Sequence, residues 1–488
     1  MQGDSALHTA EAKAKLDADR LDEALAAAWR AYDCDPSGPR VRRLLARVLH
    51  ERPSAVPAER MPVIESLLSD EEIDPDWIAP SGWLCLKGGI LSRDAAADLP
   101  ALARGVEASA LARLLLDEAL VADHAVEARL TALRRWLLLS GRWREFPATV
   151  GSLAAQAAHN GGAWLFDEDE RRALEAAGTA AIAAAYRPER PAGSGTGEFG
   201  DATTGAVAKQ YERWPYPVWR RLTRPDDDRD LAAEVRRHDP QGPDTIPAAP
   251  AILVAGCGTG REPATLALRY PAAAITAIDL SETSLGFARA RANALGLRID
   301  FRRLDLHEAA RLGRSFDAIF CSGVLHHLPE PETGWAALAA VLKPGGAMRI
   351  MVYSKLARMR IRALRTLFPD LVGRPVDADL LREVRRRVIA RAPAIPTTRD
   401  FYALAAVHDL LLHRHEDPFD VERIHRAIDR LGLQLLAFGF PDRGTRLRYA
   451  REHPDDPLFR SFANWQAFEL RQPTMFARMY RFWCRKPA

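Results

Sequence analysis

Apolar residues recur every three or four positions through most of the first 190 residues, and this spacing predicts a run of helices. One helix is predicted from Leu21 to Tyr32, and the two prolines of the following DCDPSGP sequence end it. Another is predicted by the apolar positions Val41, Leu44, Leu45, Val48 and Leu49. The pattern therefore predicts an all-helical domain over residues 1–190.

The pattern changes after a stretch that is rich in Pro, Gly, Ser and Thr. The sequence RPERPAGSGTGEFGDATTG has no periodic apolar positions, so a linker is predicted over residues 191–207. Beyond it, short β-branched runs such as AAILVAG, AAITAID and SFDAIFCSG alternate with helical patterns, which indicates a parallel sheet with crossover helices. A second domain is therefore predicted over residues 208–488, with two late strands and a helical insertion at about 355–418.

Composition narrows the class of protein only a little. A chain of 488 residues is too long for one core, and a net charge of +3 on that length indicates no particular partner. The five cysteines are far apart and form no CxxC pair, which disfavours a zinc ribbon, a redox motif or a disulfide framework. The amino terminus has no apolar signal region, and no run of about 18 apolar residues exists. We therefore expect a cytoplasmic protein with reduced cysteines and no membrane-spanning segment.

A glycine-rich loop, LVAGCGTGREP, follows the first predicted strand. A phosphate-binding P-loop would need GxxxxGK followed by Ser or Thr, and a dinucleotide loop would need GxGxxG, whereas here the spacing is GxGxG. The second strand ends in Asp279, 19 residues after Gly260, where a carboxylate can accept both ribose hydroxyls of an adenosine. Asp305 follows the third strand, where a carboxylate can meet an adenine amino group. The loop is therefore predicted to hold an adenosine-containing cofactor.

The order and spacing of five motifs resemble those of class I S-adenosylmethionine-dependent methyltransferases. These motifs are ILVAGCGTG, AIDLS, RLDLHE, FDAIFCSGVLHHL and LKPGGAMRIMVYS. More narrowly, the chain is similar to bacterial methyltransferases with a tetratricopeptide-like amino-terminal region, in which YERWPYPVW and HDLLLHRHEDPF have counterparts. The resemblance implies a Rossmann-like seven-stranded sheet, S-adenosylmethionine as the cofactor and S-adenosylhomocysteine as its product.

The resemblance also assigns cofactor contacts. They fall on Gly256, Cys257, Gly258, Thr259, Gly260, Asp279, Leu280, Asp305, Leu306, Ser322 and Gly323. Asp279 would bind the ribose, Asp305 and Leu306 would flank the adenine, and Ser322 would lie beside the transferable methyl group. One position departs from the family, which usually has an acid two residues before the first glycine, where this chain has Val254. The methionine ammonium group would then be anchored by other groups, such as backbone carbonyls at Ser322.

Candidates for the methyl-acceptor side lie near the carboxyl ends of the strands, where open α/β sheets bind ligands. His326 and His327 follow the fourth strand, and His413 lies in HDLLLHRHEDPF; each is a candidate base or a structural residue. The segment YERWPYPVW, residues 211–219, is predicted to close over the cofactor, with Tyr211 beside it and Tyr216 as a catalytic candidate, or else to pack between domains. No metal-ligand spacing such as HExxH occurs, so no metal is predicted.

The insertion is strongly basic. From Lys355 to Arg399 the chain has twelve Lys or Arg residues and four acids, a pattern that attracts phosphate or nucleic acid or forms the solvated face of helices. Aromatic residues that could stack on bases are scarce there, and the fourth strand lacks the (D/N)PP(Y/F) and Pro-Cys motifs of DNA methyltransferases. A nucleic-acid partner is therefore disfavoured.

Three functions remain after these observations. The first is methyl transfer to an oxygen or nitrogen atom of a peptide or protein that the helical domain helps to bind. The second is methyl transfer to a small molecule or glycan under the aromatic segment. The third is a non-catalytic scaffold that binds the cofactor, for which Val254 is the only support.

Overall fold

A computed structural model describes residues 2–92, 98–177, 180–187, 202–225, 230–371, 373–392, 398–477 and 479–488. The chain divides into two compact units, each built from several segments. The helical unit contains Met1–Pro191, Val218–Asp226 and Leu367–Leu410, and the sheet unit contains Ala192–Pro217, Asp227–Thr366 and Leu411–Ala488. The two units are described separately below.

The helical unit is built from helices in the order that the apolar spacing predicts. They are α1 (Gln2–Asp17), α2 (Leu21–Cys34), α3 (Pro39–Glu51), α4 (Met61–Leu68), α5 (Pro75–Lys87), α6 (Leu99–Ala108), α7 (Ala110–Glu118), α8 (His124–Leu139), α9 (Pro147–Asn160), α10 (Glu168–Ala177) and α11 (Ala180–Ala184). Alanines line the buried face of α2, so its neighbours can pack closely, and leucines of α3 fill the core. The resemblance of the helical unit to tetratricopeptide repeats stays a prediction.

Part of the basic insertion belongs to this helical unit. Helix α18 (Ala378–Arg391) carries Arg385, whose side chain is fully buried. Its guanidinium donates to both carboxylate oxygens of Glu127 at 2.9 and 2.8 Å and to the carbonyl oxygens of Ala163 and Phe401 at 2.6 and 2.9 Å. The contiguous division predicted from sequence, with all of 208–488 in one domain, therefore differs from the compact units, because residues 367–410 fold with the helical unit.

Most of the charge on α18 is neutralised within the same unit. Arg386 forms an ion pair with Glu383, and Arg387 pairs with both Glu383 and Asp370. These arginines of α18 therefore have acidic partners within the unit, and the expectation that no nucleic acid binds stays a prediction.

The sheet unit contains the predicted seven strands. They are β1 (Ala251–Ala255), β2 (Ala274–Asp279), β3 (Ile299–Arg303), β4 (Phe316–Ser322), β5 (Leu342–Val352), β6 (Gln434–Gly439) and β7 (Tyr480–Arg485). Their order in the sheet is β3-β2-β1-β4-β5-β7-β6, and only β7 runs antiparallel to its neighbours. The first five strands run parallel, so their carboxyl ends meet at one edge. The predicted Rossmann-like sheet is confirmed.

Helices cover both faces of this sheet. They are α12 (Ala202–Arg213), α13 (Leu231–His238), α14 (Arg261–Arg269), α15 (Glu282–Ala294), α16 (Pro331–Ala340), α17 (Lys355–Leu364), α20 (Val421–Arg430), α21 (Arg443–Glu452) and α22 (Phe462–Arg471), while α19 (Leu404–Leu412) lies mostly in the helical unit. One face packs on α13, α14 and α15 through Ile252, Val254 and Phe320. The other packs on α16, α20 and α22 through Leu253 and Ile319.

Three further expectations from sequence concern the linker, the cysteines and the membrane. Of the predicted linker, residues 191–201 lie outside the described residues, and 202–207 belong to helix α12 rather than to a loop. The five cysteines are free thiols, four of them buried. Among the described helices, none is long and apolar enough to cross a lipid bilayer.

The buried ion pair of the helical unit gives a stability prediction. Replacing Glu127 by alanine leaves the Arg385 guanidinium buried without its carboxylate, which should lower the free energy of unfolding by roughly 3–5 kcal/mol. The double variant Glu127→Leu with Arg385→Met removes both charges and should lose much less. Urea denaturation monitored by circular dichroism measures both. The control is Asp370→Ala, which breaks an exposed pair and should cost about 1 kcal/mol or less; an equal loss in the single and double variants would contradict the prediction.

Candidate active site

The loop between β1 and α14 holds three glycines with left-handed backbones. The φ angles of Gly256, Gly258 and Gly260 are +69°, +51° and +82°. A β-carbon on Gly258 would lie 2.6 Å from the carbonyl oxygen of Tyr216, and one on Gly256 would lie 2.3 Å from a methyl carbon of Val324. Because no side chain fits at either position, the loop brings bare backbone to the sheet edge. Such a surface suits the polar methionine and ribose parts of S-adenosylmethionine.

Asp279 ends β2 and holds this glycine loop in place. Its Oδ2 accepts a hydrogen bond from the Gly258 amide at 2.7 Å, and its Oδ1 accepts one from the Ser281 amide at 2.9 Å. Burial raises the pKa of Asp279, the backbone hydrogen bonds lower it, and the charge of Glu212 raises it further. Each carboxylate oxygen has two lone pairs, so both oxygens can also accept a hydrogen bond from a ribose hydroxyl.

Asp305, after β3, caps a short 3₁₀ helix that spans Leu306–Leu312. Its Oδ1 accepts a hydrogen bond from the His307 amide at 2.9 Å and lies 2.8 Å from Nδ1 of the same histidine. Leu306 is buried in the core, and Leu280 is half-buried at the end of β2. The structure therefore gives Asp305 a capping role, and its contact with adenine stays a prediction.

Ser322 and Gly323 form the turn at the end of β4. The Ser322 hydroxyl donates to Oε1 of Glu262, on α14, at 2.9 Å. Two cysteines belong to this part of the fold, Cys257 in the glycine loop and Cys321 in β4, and burial raises the pKa of each thiol well above its ordinary value. Both cysteines are therefore protonated, buried thiols that fill space and cannot act as nucleophiles.

The aromatic segment 211–217 packs on the two loops of the predicted cofactor site. The Tyr216 carbonyl lies against Gly258, and the Thr259 hydroxyl donates to the Pro217 carbonyl. The Glu212 carboxylate accepts hydrogen bonds from the first two backbone amides of α15 at 2.6 and 3.1 Å. The segment is therefore bound to the loops after β1 and β2, as a lid over the cofactor would be. Direct contact of Tyr211 or Tyr216 with the cofactor stays a prediction.

Three histidines and two tyrosines form a stacked cluster next to this edge, and we call it the histidine cluster. The His327 and His413 rings stack with centroids 3.6 Å apart, and the His326 ring lies 3.9 Å from the Tyr353 ring. The Tyr211 hydroxyl lies 3.3 Å from Nε2 of His413. The structure thus brings together residues that the sequence singles out separately, Tyr211, the adjacent His326 and His327, and His413, with Tyr353, which the sequence does not single out.

Backbone groups fix which nitrogen of each histidine carries the proton. Nδ1 of His326 accepts from the Tyr353 amide at 3.1 Å, and Nδ1 of His413 accepts from the His415 amide at 3.1 Å, so both neutral rings are protonated at Nε2. Nδ1 of His327 faces the His415 carbonyl oxygen at 2.9 Å and must donate to it. His327 is therefore the member of the cluster whose lone pair lies on Nε2.

The chain around His413 is held against the ends of β4 and β5. The Asp417 amide donates to the His326 carbonyl at 2.8 Å, and the Phe419 amide donates to the Tyr353 carbonyl at 2.9 Å. The side chains of Glu416 and Arg358 form a buried ion pair. Because these contacts are made by backbone and buried charge, the positions of the cluster rings are set by the sheet edge itself.

The structure adds residues that the sequence does not single out. Tyr353 follows directly after β5, the kind of position at which ligand-binding residues are expected. Glu262 and Arg349 form an ion pair on one face of the sheet. No sequence motif singles out Arg349. Glu262 could have been named as a candidate from sequence, because it is an acid in the first helical turn after the glycine loop.

Comparison with known proteins agrees with this geometry. A family model described as a methyltransferase domain matches residues 252–346. An uncharacterized protein of Synechococcus sp. is 36% identical over 234 residues, which are 45% of this chain and 56% of that protein. The ubiquinone biosynthesis O-methyltransferase of Dechloromonas aromatica is 38% identical over 96 residues, which are 20% of this chain and 40% of that enzyme. The chain thus spans less than two thirds of the length of either relative.

Solved structures include a more distant likeness. PKMT2 from Rickettsia typhi in complex with AdoHcy is 14% identical, with 49% of each chain covered and a TM-score of 0.37. The matched family model and the sheet order identify a class I methyltransferase domain in the sheet unit. The domain is of the kind that depends on S-adenosylmethionine, and the predicted fold and cofactor are confirmed.

Removing the Asp279 carboxylate should weaken cofactor binding. The variant Asp279→Ala loses one or two charge-assisted hydrogen bonds to the ribose, each worth roughly 1.5–3 kcal/mol, so affinity for S-adenosylhomocysteine should fall at least tenfold. Isothermal titration calorimetry measures it, with a thermal melt to show that the loop still folds. Asp300→Ala, on the exposed surface of β3, is the control. Unchanged affinity in Asp279→Ala would mean that the ribose is held elsewhere.

The buried ring of His326 predicts how stability depends on pH. Burial, and then the neighbouring His327 and His413, hold the pKa of His326 well below its ordinary value of about 6.5. The unfolded chain therefore takes up a proton that the folded chain does not. The contribution to stability is complete above about pH 6.5 and is lost as the pH falls, by up to about 1.4 kcal/mol per pH unit. Urea denaturation between about pH 5 and 8 should show this slope reduced in His326→Gln, and an unchanged slope would contradict the assignment.

Proposed function

We propose that the chain transfers a methyl group from S-adenosylmethionine to an oxygen or nitrogen atom of its acceptor. The observation that carries this proposal is the histidine cluster, whose residues His326 and His327 follow Ser322 within five positions. An acceptor hydroxyl or amine must lose a proton when its lone pair forms the bond to the methyl carbon and the carbon–sulfur bond breaks. A buried imidazole in the segment that follows the predicted methyl position is a group that can take up this proton.

Within the cluster we assign the base to Nε2 of His327. His326 and His413 each use their lone pair on a backbone amide, so neither neutral ring can take a proton without losing that hydrogen bond. We assign these two residues, the candidates from sequence, to orienting the cluster. The Nδ1–H of His327 donates to a carbonyl, which orients the ring and stabilises the charge that forms when Nε2 is protonated.

For the acceptor we propose a group on a peptide or protein, bound with the help of the helical unit. A cavity of about 280 Å³ in that unit supports this assignment. Its wall is apolar at Trp83 and Leu84, and the Lys87–Asp123 and Arg399–Asp76 ion pairs lie at its lining. An apolar wall beside paired charges suits one side chain of a peptide together with its polar backbone.

The alternative is a small-molecule acceptor, which the similarity to a ubiquinone biosynthesis O-methyltransferase favours. That similarity covers 96 residues, 20% of the chain, and the family model that matches the same fold covers 252–346, where the glycine loop and Asp279 lie. The range of the family model covers the predicted cofactor residues from Gly256 to Gly323 and stops before His413.

Transfer of a radioactive methyl group separates these assignments. The full chain is incubated with methyl-labelled S-adenosylmethionine and with either the protein fraction or the small-molecule fraction of a bacterial extract. Label in the protein fraction supports the peptide acceptor, and label in the small-molecule fraction alone supports the alternative. The absence of transfer in both, with S-adenosylhomocysteine still bound, would favour the non-catalytic scaffold.

Replacing His327 tests the proposed base. The variant His327→Gln should lower kcat by about 10²–10⁴-fold and leave the affinity for S-adenosylhomocysteine within about twofold, because general-base catalysis contributes at the transition state and not to cofactor binding. Label transfer and calorimetry measure the two quantities. His425→Gln, an exposed histidine of α20, is the matched control. Equal activity of the two variants would remove His327 from the mechanism.

A further inference from the structure

The methionine end of S-adenosylmethionine carries an ammonium group, and position 254 offers it no carboxylate. Val254 is fully buried in the core between β1 and its covering helices. It aligns across the sheet with Phe320 of β4, which aligns in turn with Arg349 of β5. Residues in one such row point to the same face, so this face carries a cation on β5 and an apolar side chain on β1.

The carboxylate on this face comes from a helix instead of a strand. Arg349 lies with its guanidinium carbon 4.7 Å from the Phe320 ring, and it forms an ion pair with Glu262 of α14. The two side chains are 16% and 21% exposed, so the pair is partly desolvated at the sheet edge without being sealed from solvent. Arg349 thereby fixes the position of an ionised carboxylate.

Glu262 lies between the two loops that surround the predicted methionine position. It is the second residue of α14, two positions after Gly260, and its Oε1 accepts a hydrogen bond from the hydroxyl of Ser322 at 2.9 Å. Glu262 follows the glycine loop, and Ser322 lies in the turn after β4, so this hydrogen bond connects the two loops. The carboxylate is thus placed where the resemblance places the amino-acid part of the cofactor.

We propose that Glu262 binds the α-ammonium group of S-adenosylmethionine, in place of the acid that position 254 lacks. The proposal rests on the proposed function, since it assumes that cofactor. A carboxylate oxygen accepts two hydrogen bonds, and an ammonium group has three N–H donors, so Glu262 can hold Ser322, Arg349 and the ligand together. Arg349 acts as a positioning residue, because it touches the carboxylate and not the ligand.

Two probes that differ only at the amino-acid end test this assignment. S-adenosylhomocysteine has the ammonium group, and 5′-methylthioadenosine lacks the whole amino acid but keeps the adenosine. In Glu262→Gln, calorimetry should show affinity for S-adenosylhomocysteine reduced at least tenfold and affinity for 5′-methylthioadenosine changed less than twofold, a loss of one charge-assisted hydrogen bond. Glu308→Gln, an exposed acid, is the control and should change neither.

The remaining outcomes each decide the matter. If Glu262→Gln weakens neither probe, or weakens both equally, the assignment is overturned. If the single variant fails to fold because Arg349 keeps an unpaired charge, the double variant Glu262→Gln with Arg349→Met removes that charge and should show the same selective loss; equal affinity changes for both probes would overturn the assignment here too. Asp279→Ala should weaken both probes, and failure of that arm counts against the cofactor site itself and not against Glu262.

Discussion

The reversal of the strand order between β1 and β4 decides where this domain can bind a ligand. Strand β1 lies between β2 and β4, so the loop after β1 and the turn after β4 start at the same edge of the sheet. The first leads to α14 on one face of the sheet, and the second leads to α16 on the other face. Ligands of open α/β sheets bind in the crevice formed at such a point. The glycine loop, Asp279, His326 and His327 lie on segments that leave this edge, and the chain around His413 packs against it, which is why residues distant in sequence come together here.

Local pattern was sufficient to predict the sheet and the cofactor loop. The strands β1, β2 and β4 are short apolar runs. The turns after β1 and β2 are set by local residues, Gly258 and Asp279, whose hydrogen bond closes the loop. Such features depend on near neighbours, so their residue types carry the information. The same holds for the helices of the first unit, where the spacing of buried leucines and alanines follows the helical period.

The rest depends on contacts that sequence spacing does not encode. Arg385 and Glu127 are 258 positions apart, and nothing in the residues around either of them indicates that α18 joins the helical unit. The nitrogen that carries the proton on each of the three histidines also cannot be predicted from sequence spacing. It follows from which backbone amide or carbonyl faces each ring, and those groups belong to Tyr353 and His415, at the end of β5 and in a loop.

A count of charges also does not show which arginines lie in the interior. This chain buries several arginines and uses each to bond backbone carbonyls that no helix or strand satisfies: Arg385 donates to two, Arg221 donates to those of Leu68 and Asp70, and Arg134 donates to those of Leu165 and Ala185. An arginine stays protonated and has five donors in a fixed plane, so one side chain can fix a turn and a carboxylate at once. A basic run can therefore be part of the interior rather than a surface for an acidic partner. The same use of arginine explains how Arg349 can hold a carboxylate at the sheet edge although the strand beside it has none.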